Sequence, residues 1–434
     1  MKITVIGTGY VGLISAVGWA HFGHAITCVD LDAEKIGKIN KGIAPIYEPD
    51  LDIWLQETVK SKKILATVSY SSVSTSDIVL ISVGTPSLGS GEIDLKYIRD
   101  CAEQIAQELS QDKGKFVVII VRSTVLPGTT EEVVGQIIKK ISGKKLGVDF
   151  GLAMIPEFLK EGTAIADFNA PDRIVIGTSD ERTKKILEEL HSSFKCPKVF
   201  VNIKTAEMIK YTSNAFLATK ISFTNEMAGI CERLSIDVDE VMRGTGLDAR
   251  IGPQFLVAGA GFGGSCFPKD VKAIRHKARG LGISTDVLDA TLVTNEKQQA
   301  KLFHMLKSHM LIRDKTVAVL GLAFKAGTDD IRDSPAIIII TKLIEEGAKI
   351  RAYDPKAMEN MRKMFPSIAY STSLAECVRG ADAVLLVNVW PEFIKRADEY
   401  KQLIGSAIFL DARRILDQKE AKKSGLEYHC IGRG

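Results

Sequence analysis

A glycine-rich turn near the beginning of the chain constrains the fold more than any other feature. The run Gly7-Thr8-Gly9-Tyr10-Val11-Gly12 follows a β-branched stretch, Lys2–Ile6, and opens an apolar stretch with helical spacing, residues 11–21. Gly7 permits a tight turn, Gly9 lets backbone N–H groups approach a pyrophosphate, and Gly12 allows the helix to pack closely on the strand. This order of strand, turn and helix predicts the first βαβ unit of a dinucleotide-binding domain.

An acidic residue in the right place points to the cofactor. Asp30 ends the next predicted strand, 18 residues after the last glycine of the turn. Its carboxylate would accept hydrogen bonds from an adenosine ribose and repel a 2′-phosphate, which favours NAD over NADP. Lys35 could reach the same ribose, so NADP stays open on this evidence alone.

The same strand-and-helix alternation occurs twice, on either side of a helical region. From about Lys204, apolar residues recur at helical spacing, with no Gly or Pro before Gly229. This spacing predicts a helix of about seven turns, which is a candidate dimer interface. The fold class is therefore α/β, with two Rossmann-like parallel-sheet domains (1–203 and 312–434) joined by a central helical domain (204–311). The predicted strands are Lys2–Ile6, Ala25–Val29, 78–83, 116–121, 151–154, 174–177, Thr316–Leu320, Lys349–Tyr353, 383–388 and 408–410.

Polar residues follow several of these strands, at the carboxyl ends where open α/β sheets bind ligands. Thr85 and Thr124 each follow one, and a local turn or helix cap explains each of them equally well. Glu157 and Glu161 follow the strand that ends near Met154 and could act as acid or base. For these two glutamates the sequence alone favours the simpler interpretation, ordinary acids on a helix surface.

Composition and cysteine usage exclude several classes of protein. The net charge of +4 is small and dispersed, which does not favour a nucleic-acid or membrane partner. The seven cysteines are scattered without a Cys-x-x-Cys pair, so neither a metal site nor a disulfide framework is predicted. The N-terminus lacks the features of a signal peptide, and apolar runs are too short to span a membrane. A reduced, cytoplasmic setting fits best.

One cysteine stands in an unusual loop, Gly259-Ala260-Gly261-Phe262-Gly263-Gly264-Ser265-Cys266-Phe267-Pro268-Lys269-Asp270. Cys266 precedes a predicted helix and lies beside Lys269, a position that favours a low thiol pKa and a reactive thiolate. The alternative, a small buried hydrophobic residue, is favoured for the other six cysteines. A nicotinamide cofactor together with a thiolate suggests oxidation of an alcohol to a carboxylate through a thiohemiacetal and a thioester.

Two further groups could serve this chemistry. Lys210 and Asn214 lie one turn apart on the long predicted helix and could stabilise an oxyanion, although a solvated lysine and a surface asparagine are the alternative. In the third region, Lys325 and Arg332 flank a turn that is similar to a mononucleotide-binding unit but lacks the full glycine fingerprint. That region could therefore hold the nucleotide half of a substrate rather than a second NAD.

Taken in order, these motifs resemble the UDP-glucose/GDP-mannose dehydrogenase family along essentially the whole chain, from the glycine-rich turn through the cysteine loop to Asp411-Ala412-Arg413. The resemblance implies an NAD-dependent oxidoreductase that converts UDP-glucose to UDP-glucuronate for polysaccharide biosynthesis. It also implies a homodimer built on the long central helix, and UDP-sugar binding by residues 312–434.

The resemblance also implies a role for each candidate residue. Cys266 would be the nucleophile, Asp270 would orient a water, and Lys210 with Asn214 would hold the oxyanion. Glu157, Glu161 and Thr124 would assist proton transfers and thioester hydrolysis. NAD would contact Gly7, Gly9, Tyr10, Val11, Gly12, Asp30, Lys35, Thr85, Thr124, Glu161, Lys269 and Arg332. The sugar nucleotide would contact Glu157, Phe158, Leu159, Lys160, Lys210, Asn214, Arg250 (from the neighbouring subunit), Phe255, Gly263, Lys325 and Arg413.

Two departures from the family pattern leave the sugar open. Residues 170–177 and Cys266-Phe267-Pro268 are more similar to the UDP-glucose branch than to the GDP-mannose branch. However, Ile155 stands where asparagine is usual, and Phe255 stands where tyrosine is common. UDP-N-acetylmannosamine and GDP-mannose are therefore alternative substrates.

Two other types of protein fit less well. A two-electron β-hydroxyacid-type dehydrogenase would need neither Cys266 nor the third region. A non-catalytic NAD-binding sensor would use Cys266 as a redox switch, and no resolving cysteine lies nearby in the sequence.

Overall fold

The computed structural model describes residues 1–111 and 114–434, which form two compact units, Met1–Ser213 and Asn214–Gly434. The strands of the first unit are β1 (Lys2–Ile6), β2 (Ala25–Val29), β3 (Ile64–Thr67), β4 (Ile78–Ile81), β5 (Val117–Val121), β6 (Phe150–Met154), β7 (Ile174–Thr178) and β8 (Lys198–Val201). Its helices are α1 (Tyr10–His21), α2 (Ala33–Asn40), α3 (Leu51–Lys60), α4 (Lys96–Gln111), α5 (Gln136–Ser142), α6 (Ala164–Asn169) and α7 (Glu181–Leu190). A 3₁₀ turn covers Ser71–Thr75 and a π-helical turn, Thr130–Gly135, precedes α5.

In the described part of the first unit these strands form an eight-stranded sheet in the order β3-β2-β1-β4-β5-β6-β7-β8. Successive residues of β4 enter different cores: Ile78 and Leu80 belong to one hydrophobic cluster, and Val79 and Ile81 to the other. A strand covered on both faces needs apolar residues throughout, which explains its continuous run. The chain reverses its direction of growth between β1 and β4, the point where such sheets bind ligands.

The second unit contains a helical region followed by a second sheet. Helix α8 (Ile203–Leu234) has 32 residues, spans ~48 Å and crosses from the first unit into the second. It is followed by α9 (Val238–Gly246), α10 (Phe267–Gly280), α11 (Asp286–Gln299) and α12 (Lys301–His309). The strands are β9 (Thr316–Leu320), β10 (Lys349–Tyr353), β11 (Ala369–Tyr370), β12 (Ala383–Leu386), β13 (Ile408–Asp411) and β14 (Tyr428–Cys430). Interspersed are α13 (Pro335–Glu345), α14 (Met358–Met364), α15 (Leu374–Val378), a 3₁₀ turn (Pro391–Phe393), α16 (Ala397–Ile404) and α17 (Gln418–Lys423).

The second sheet has the order β11-β10-β9-β12-β13-β14, and each neighbouring pair is parallel. Two apolar clusters cover its opposite faces: Val317 and Val319 of β9 enter one, and Ala318 and Leu320 the other. Within residues 1–111 and 114–434, no helix has both the length and the apolar character needed to cross a bilayer.

The predicted fold class is confirmed, but four strands at the sheet edges (β3, β8, β11 and β14) were not predicted, and three further details differ. The first sheet is not parallel throughout, because β6 and β7 pair antiparallel. Strands β4 and β12 end two residues earlier than predicted, at Ile81 and Leu386. The long helix has about nine turns rather than seven. It begins at Ile203 because the side chain of Asn202 accepts a hydrogen bond from the Thr205 N–H at 2.8 Å.

Candidate active site

The glycine-rich turn has the geometry that its sequence predicts. Gly7 has φ +90°, and a Cβ at this position would lie 2.6 Å from the Ser82 carbonyl oxygen. A Cβ on Gly12 would lie 1.9 Å from the Gly7 carbonyl oxygen, so neither position accepts a larger residue. A Cβ on Gly9, at the start of α1, would meet no described atom within 4 Å. The turn therefore leaves space for an anion at the helix N-terminus.

Asp30 is half-buried beside this turn. It accepts hydrogen bonds from the Thr8 N–H (2.8 Å) and hydroxyl (2.6 Å), and from the Asp32 N–H (3.0 Å). Burial alone would raise the pKa of Asp30, but these bonds and the charge of Lys35 hold it below its ordinary value. The carboxylate is therefore ionised at neutral pH, as a ribose acceptor should be. The ammonium of Lys35 lies 4.0 Å from Asp32.

The second sheet contains a similar turn, but there the carboxylate that follows the next strand is hydrogen-bonded within the protein. Gly321 has φ +84° and is followed by Leu322 and Ala323, whose N–H groups donate to Asp354 at 2.8 and 3.1 Å. The Trp390 indole donates to the same carboxylate oxygen at 3.1 Å, and two backbone N–H groups of the following loop donate to the other oxygen. Asp354 is fully buried. Its acceptor capacity is used within the protein, so this turn does not offer the ribose acceptor that Asp30 offers.

The fold brings Thr85 and Thr124 together at the carboxyl ends of β4 and β5. The Thr85 hydroxyl donates to the Thr124 carbonyl oxygen at 3.0 Å. The Ser123 hydroxyl donates to the Val83 carbonyl at 2.7 Å. These bonds link the two loops that follow the central strands of the sheet.

Glu157 is buried in a segment without regular secondary structure after β6, so the interpretation as an acid on a helix surface is wrong for this residue. Its carboxylate accepts hydrogen bonds from the Lys210 ammonium at 2.8 Å and from the Leu159 N–H at 2.7 Å. Lys210 also donates to the Glu157 carbonyl oxygen at 2.7 Å. Burial would raise the pKa of Glu157, but the charge and hydrogen bond of Lys210, the Leu159 N–H and the charge of Arg122 lower it. Lys210 is 4% exposed, so the solvated alternative is also wrong.

Arg122 is a buried charge that the sequence interpretation overlooked. It follows β5, and burial lowers its pKa to about 10 although Glu157 acts in the opposite direction. Its guanidinium carbon lies 5.7 Å from the Trp19 ring centre. Both residues line a cavity that Glu157, Phe158 and other residues after β6 also line. A basic residue directly before Ser-Thr, at a strand end, was the available signal.

A second overlooked residue holds the same segment. Glu48 is 4% exposed and accepts hydrogen bonds from the N–H groups of Gly162 (2.7 Å) and Ala164 (2.6 Å). It also accepts a hydrogen bond from the Tyr10 hydroxyl. Burial, Glu48 and Glu161 all raise the pKa of Tyr10, so the phenol stays protonated. Glu48 therefore connects the glycine-rich turn to the segment that contains Glu161.

Other side chains of this segment are also anchored. The Arg173 guanidinium carbon lies 3.9 Å from the Phe158 ring centre, and Arg173 donates to the Ser213 hydroxyl at 3.3 Å. The Lys160 ammonium pairs with Asp167 at 2.5 Å. The segment that follows β6 is thus held in place along much of its length.

In the second unit, Cys266 differs from the other cysteines. Cys28, Cys101, Cys231, Cys377 and Cys430 are buried and Cys196 is half-buried, as the hydrophobic interpretation predicted, whereas Cys266 is exposed. It occupies the N-cap position of α10, and its sulfur lies 3.5 Å from the Ser265 hydroxyl oxygen.

Buried amide side chains hold the loop that precedes Cys266. Asn295 accepts from the Phe262 N–H (2.7 Å) and donates to its carbonyl (3.0 Å), while Asn225 accepts from the Gly259 N–H (2.8 Å). Gln298 donates to the Gly259 carbonyl at 2.6 Å. Sequence analysis missed these residues. The tripeptide Thr-Asn-Glu, repeated at 224–226 and 294–296 on two helices, was the signal that could have found both asparagines.

Asp270, on the first turn of α10, is 1% exposed and has two side-chain donors. Asn214 donates to one carboxylate oxygen at 2.7 Å, and the Lys269 ammonium donates to the other at 2.6 Å. Asn214 and Asp270, which the sequence assigned to separate roles, are thus in contact, and Asn214 is not a surface residue.

The remaining candidates also have defined surroundings. Arg250 is exposed and forms a bidentate pair with Asp248, with a shortest distance of 2.6 Å. Arg332 pairs in the same way with Asp330, also at 2.6 Å. Phe255 has φ +66°, which is uncommon for an aromatic residue and marks local strain.

Three candidates lie in or near the cysteine loop: Gly263 belongs to it, Lys325 follows Phe324, which faces it, and Arg413 faces Gly259. A Cβ on Gly263 would lie 2.2 Å from the Asp333 carbonyl oxygen, and the Lys325 ammonium lies 5.6 Å from the Phe324 ring centre. Arg413 donates to the Val387 carbonyl at 3.2 Å. Burial and the neighbouring Arg414 lower the pKa of Arg413 to about 10. The charge of Asp411 acts in the opposite direction.

Three consecutive family models match the chain. Residues 1–195 match the NAD binding domain of the UDP-glucose/GDP-mannose dehydrogenase family, residues 204–297 its central domain and residues 318–418 its UDP binding domain. The chain belongs to the UDP-glucose/GDP-mannose dehydrogenase family. NAD is therefore its cofactor and the chain is an enzyme, as the motifs predicted.

Individual members of this family are similar over the full length. A UDP-glucose 6-dehydrogenase of Bacillus subtilis is 41% identical, covering 100% of this chain and 98% of the relative. The structure of a UDP-glucose dehydrogenase from Pyrobaculum islandicum has a TM-score of 0.92 at 35% identity, covering 100% of this chain and 98% of that one. A UDP-D-ManNAc dehydrogenase from Pyrococcus horikoshii has a TM-score of 0.87 at 29% identity, covering 100% of both chains.

Proposed function

We propose that this enzyme oxidises the 6-hydroxyl of UDP-glucose to a carboxylate and so forms UDP-glucuronate for polysaccharide biosynthesis. The balanced reaction consumes two NAD⁺ and one water and yields two NADH and three protons. The observation that carries the proposal is the exposure of Cys266 at the start of α10. It directly follows a loop that buried amide side chains hold in place. The full-length similarity to UDP-glucose 6-dehydrogenases supports the substrate.

Cys266 is needed because an aldehyde cannot lose a second hydride directly to reach the acid level. Addition of the thiolate to the aldehyde carbon creates a tetrahedral thiohemiacetal that carries a C–H bond and an oxyanion. Loss of hydride converts the adduct to a thioester, and water then releases the carboxylate and regenerates the thiol. NAD, held by the glycine-rich turn and Asp30, accepts the hydride of each oxidation when bound.

The other residues handle protons and charge. Lys210 and Asn214 stabilise the oxyanion, and Asp270, already bonded to Asn214, orients the hydrolytic water. Glu157, ionised and bonded to Lys210, sets the position of that ammonium, while Glu161 and Thr124 assist proton transfer. UDP-glucose is bound by residues 158–160 together with Phe255, Gly263, Lys325 and Arg413.

We propose the same division of labour among regions that the motifs predict. Residues 1–203 bind NAD, residues 204–311 supply the central helices, and residues 312–434 bind the nucleotide of the substrate. No disulfide links any two of the seven cysteines, which supports a cytoplasmic location.

The working form is proposed to be a homodimer built on α8. Phe216, Phe223 and Ile230 lie on this helix at intervals of seven residues, and their exposed fractions are 64%, 51% and 49%. Such an interval places them along one stripe of the helix, as in paired helices. The exposed Arg250 would then reach the nucleotide sugar of the neighbouring subunit.

A different sugar is the second candidate. Phe255 and Ile155 depart from the family pattern, and a UDP-D-ManNAc dehydrogenase has a similar structure. UDP-N-acetylmannosamine and GDP-mannose are therefore the comparison substrates.

The test is the number of NADH molecules formed per UDP-glucose consumed by purified enzyme with excess NAD. A ratio of two supports the four-electron reaction, and a ratio of one indicates a simple two-electron dehydrogenase. Cys266→Ala should stop at the aldehyde level, whereas the matched Cys196→Ala should keep the ratio of two. Uronate formation by Cys266→Ala at the wild-type rate would refute the mechanism. Turnover only with another nucleotide sugar would reassign the substrate.

A further inference from the structure

Three potential metal ligands converge on the surface of the second unit. His309 is the last residue of α12, and Glu427 and His429 lie at β14, which pairs with β13 and forms one edge of the six-stranded sheet. The ligand atoms of these three side chains all lie within 4.8 Å of one another. None of them belongs to the residues proposed above for NAD or nucleotide-sugar binding.

The two elements are fixed in place next to these ligands. Leu306, one turn before His309, is fully buried in the same cluster as Leu410 and Ile431. His429 is in register with Leu410, and the Glu427 carbonyl accepts a hydrogen bond from the Phe409 N–H at 2.8 Å. Glu427 directly precedes β14 and is two residues from His429, and their side chains approach each other to 3.9 Å. A packed scaffold therefore presents all three ligands, which favours a defined site over chance proximity.

The chemistry of the three groups suits a transition-metal ion. The rings of His309 and His429 have their centres 4.1 Å apart with an interplanar angle of 37°, and the His429 Nε2 lies 3.9 Å from Glu427. Each imidazole ring has two nitrogen atoms, and either one can bind a metal ion through its lone pair. Two imidazole nitrogens and one carboxylate form a common zinc ligand set, with a fourth position for water.

The distances are compatible with closure around an ion. Zinc bonds to nitrogen and oxygen of about 2.0–2.2 Å place tetrahedral ligands roughly 3.4 Å apart. From a spread of 4.8 Å, the side chains need to move by about 1.5 Å, within reach of rotamer adjustments at exposed positions.

We propose that His309, Glu427 and His429 bind a divalent transition-metal ion, with Zn²⁺ favoured, and that this ion clamps α12 to the edge strand β14. Edge strands expose unpaired backbone groups and open more easily than central strands. A metal bridge from α12 to β14 would therefore stabilise this end of the sheet.

The experiment uses full-length protein without a histidine tag. Equilibrium dialysis with Zn²⁺ should give one bound ion per chain, and His309→Ala or Glu427→Gln should weaken its binding at least about tenfold. His304→Ala, on the same helix but outside the cluster, is the matched control and should bind as the wild type does. Zn²⁺ should also slow amide hydrogen exchange of β14 in the wild type and not in His309→Ala.

Cobalt distinguishes this cluster from the exposed thiol of Cys266. Co²⁺ bound by nitrogen and oxygen ligands gives visible d–d bands without the near-ultraviolet thiolate charge-transfer band. A thiolate band that disappears in Cys266→Ser would place the ion on the cysteine and overturn the proposal. Unchanged zinc binding by the double variant His309→Ala/Glu427→Gln would also overturn it. Because dialysis and hydrogen exchange do not depend on turnover, either result leaves the proposed reaction untouched.

Discussion

Replacing Gly263 with alanine tests whether the position of the cysteine loop controls the reaction. A Cβ here would lie 2.2 Å from the Asp333 carbonyl oxygen and 3.2 Å from the Cβ of Phe324. An unstrained contact between carbon and carbonyl oxygen is about 3.3 Å, so the loop or Asp333 must move by about 1 Å. A displacement of that size in a catalytic group lowers turnover about 100-fold.

Two measurements and a matched control variant separate this effect from a general loss of folding. We expect NADH formation to fall about 100-fold in kcat/KM for UDP-glucose, with a loss of about 1–3 kcal/mol in the free energy of unfolding from overpacking. Gly244→Ala is the matched control, because a Cβ there meets no described atom within 4 Å on α9. That variant should keep its activity and gain up to about 1 kcal/mol in stability. Wild-type kinetics and stability in Gly263→Ala would refute the inferred contact between the loop and Asp333.

Three further substitutions test other parts of the structure. Lys210→Met leaves the buried Glu157 carboxylate without its cation and should cost about 3–5 kcal/mol in urea unfolding at pH 7. The pKa of Glu157 is lower in the folded state than in the unfolded chain. Its stabilising contribution is therefore present above about pH 4.3 and is lost as the pH falls further; in Lys210→Met, acid unfolding should begin at a higher pH. Glu48→Ala removes the acceptor of two backbone N–H groups and one phenol and should lower stability by about 3 kcal/mol, whereas an unchanged melting temperature would exclude this anchoring role. Phe223→Glu places a charge in the exposed stripe of α8 and should give monomers in sedimentation velocity at concentrations where the wild type is a dimer; a wild-type sedimentation coefficient in this variant would argue against α8 as the interface.

Sequence reasoning succeeded where local chemistry determines structure. The turn from Gly7 to Gly12 and the carboxylate of Asp30 have the predicted geometry, because close backbone approach and a strand end are both encoded within a few residues. Strands buried on both faces were recognised from their apolar runs. The strands that were missed, β3, β8, β11 and β14, are the edges of the two sheets. They are short, and most are partly exposed, so they lack such runs.

The contacts that sequence reasoning missed join residues far apart in the chain. Glu48 accepts a hydrogen bond from Gly162, and Asn295 accepts one from Phe262. The spacing of residues near each of them in the sequence gives no sign of these partners. The sequence also did not show that Glu157 is buried, because a short stretch of this kind after a strand is compatible with either a loop or the first turn of a helix. The antiparallel pairing of β6 and β7 depends on the path of the connection between them, which periodicity does not report.

Asp30 follows β2 in the first sheet, and Asp354 follows β10 at the corresponding position of the second sheet. The two carboxylates differ in how far they can be replaced without disturbing the fold. Asp30 is half-buried and sits where a cofactor would be recognised, so replacing it can alter the choice of dinucleotide while the sheet stays intact. Asp354 joins its turn, its loop and Trp390 inside the protein, so the corresponding replacement would leave several donors unmet. The same turn therefore places one carboxylate within reach of a ligand and uses the other to hold the protein together.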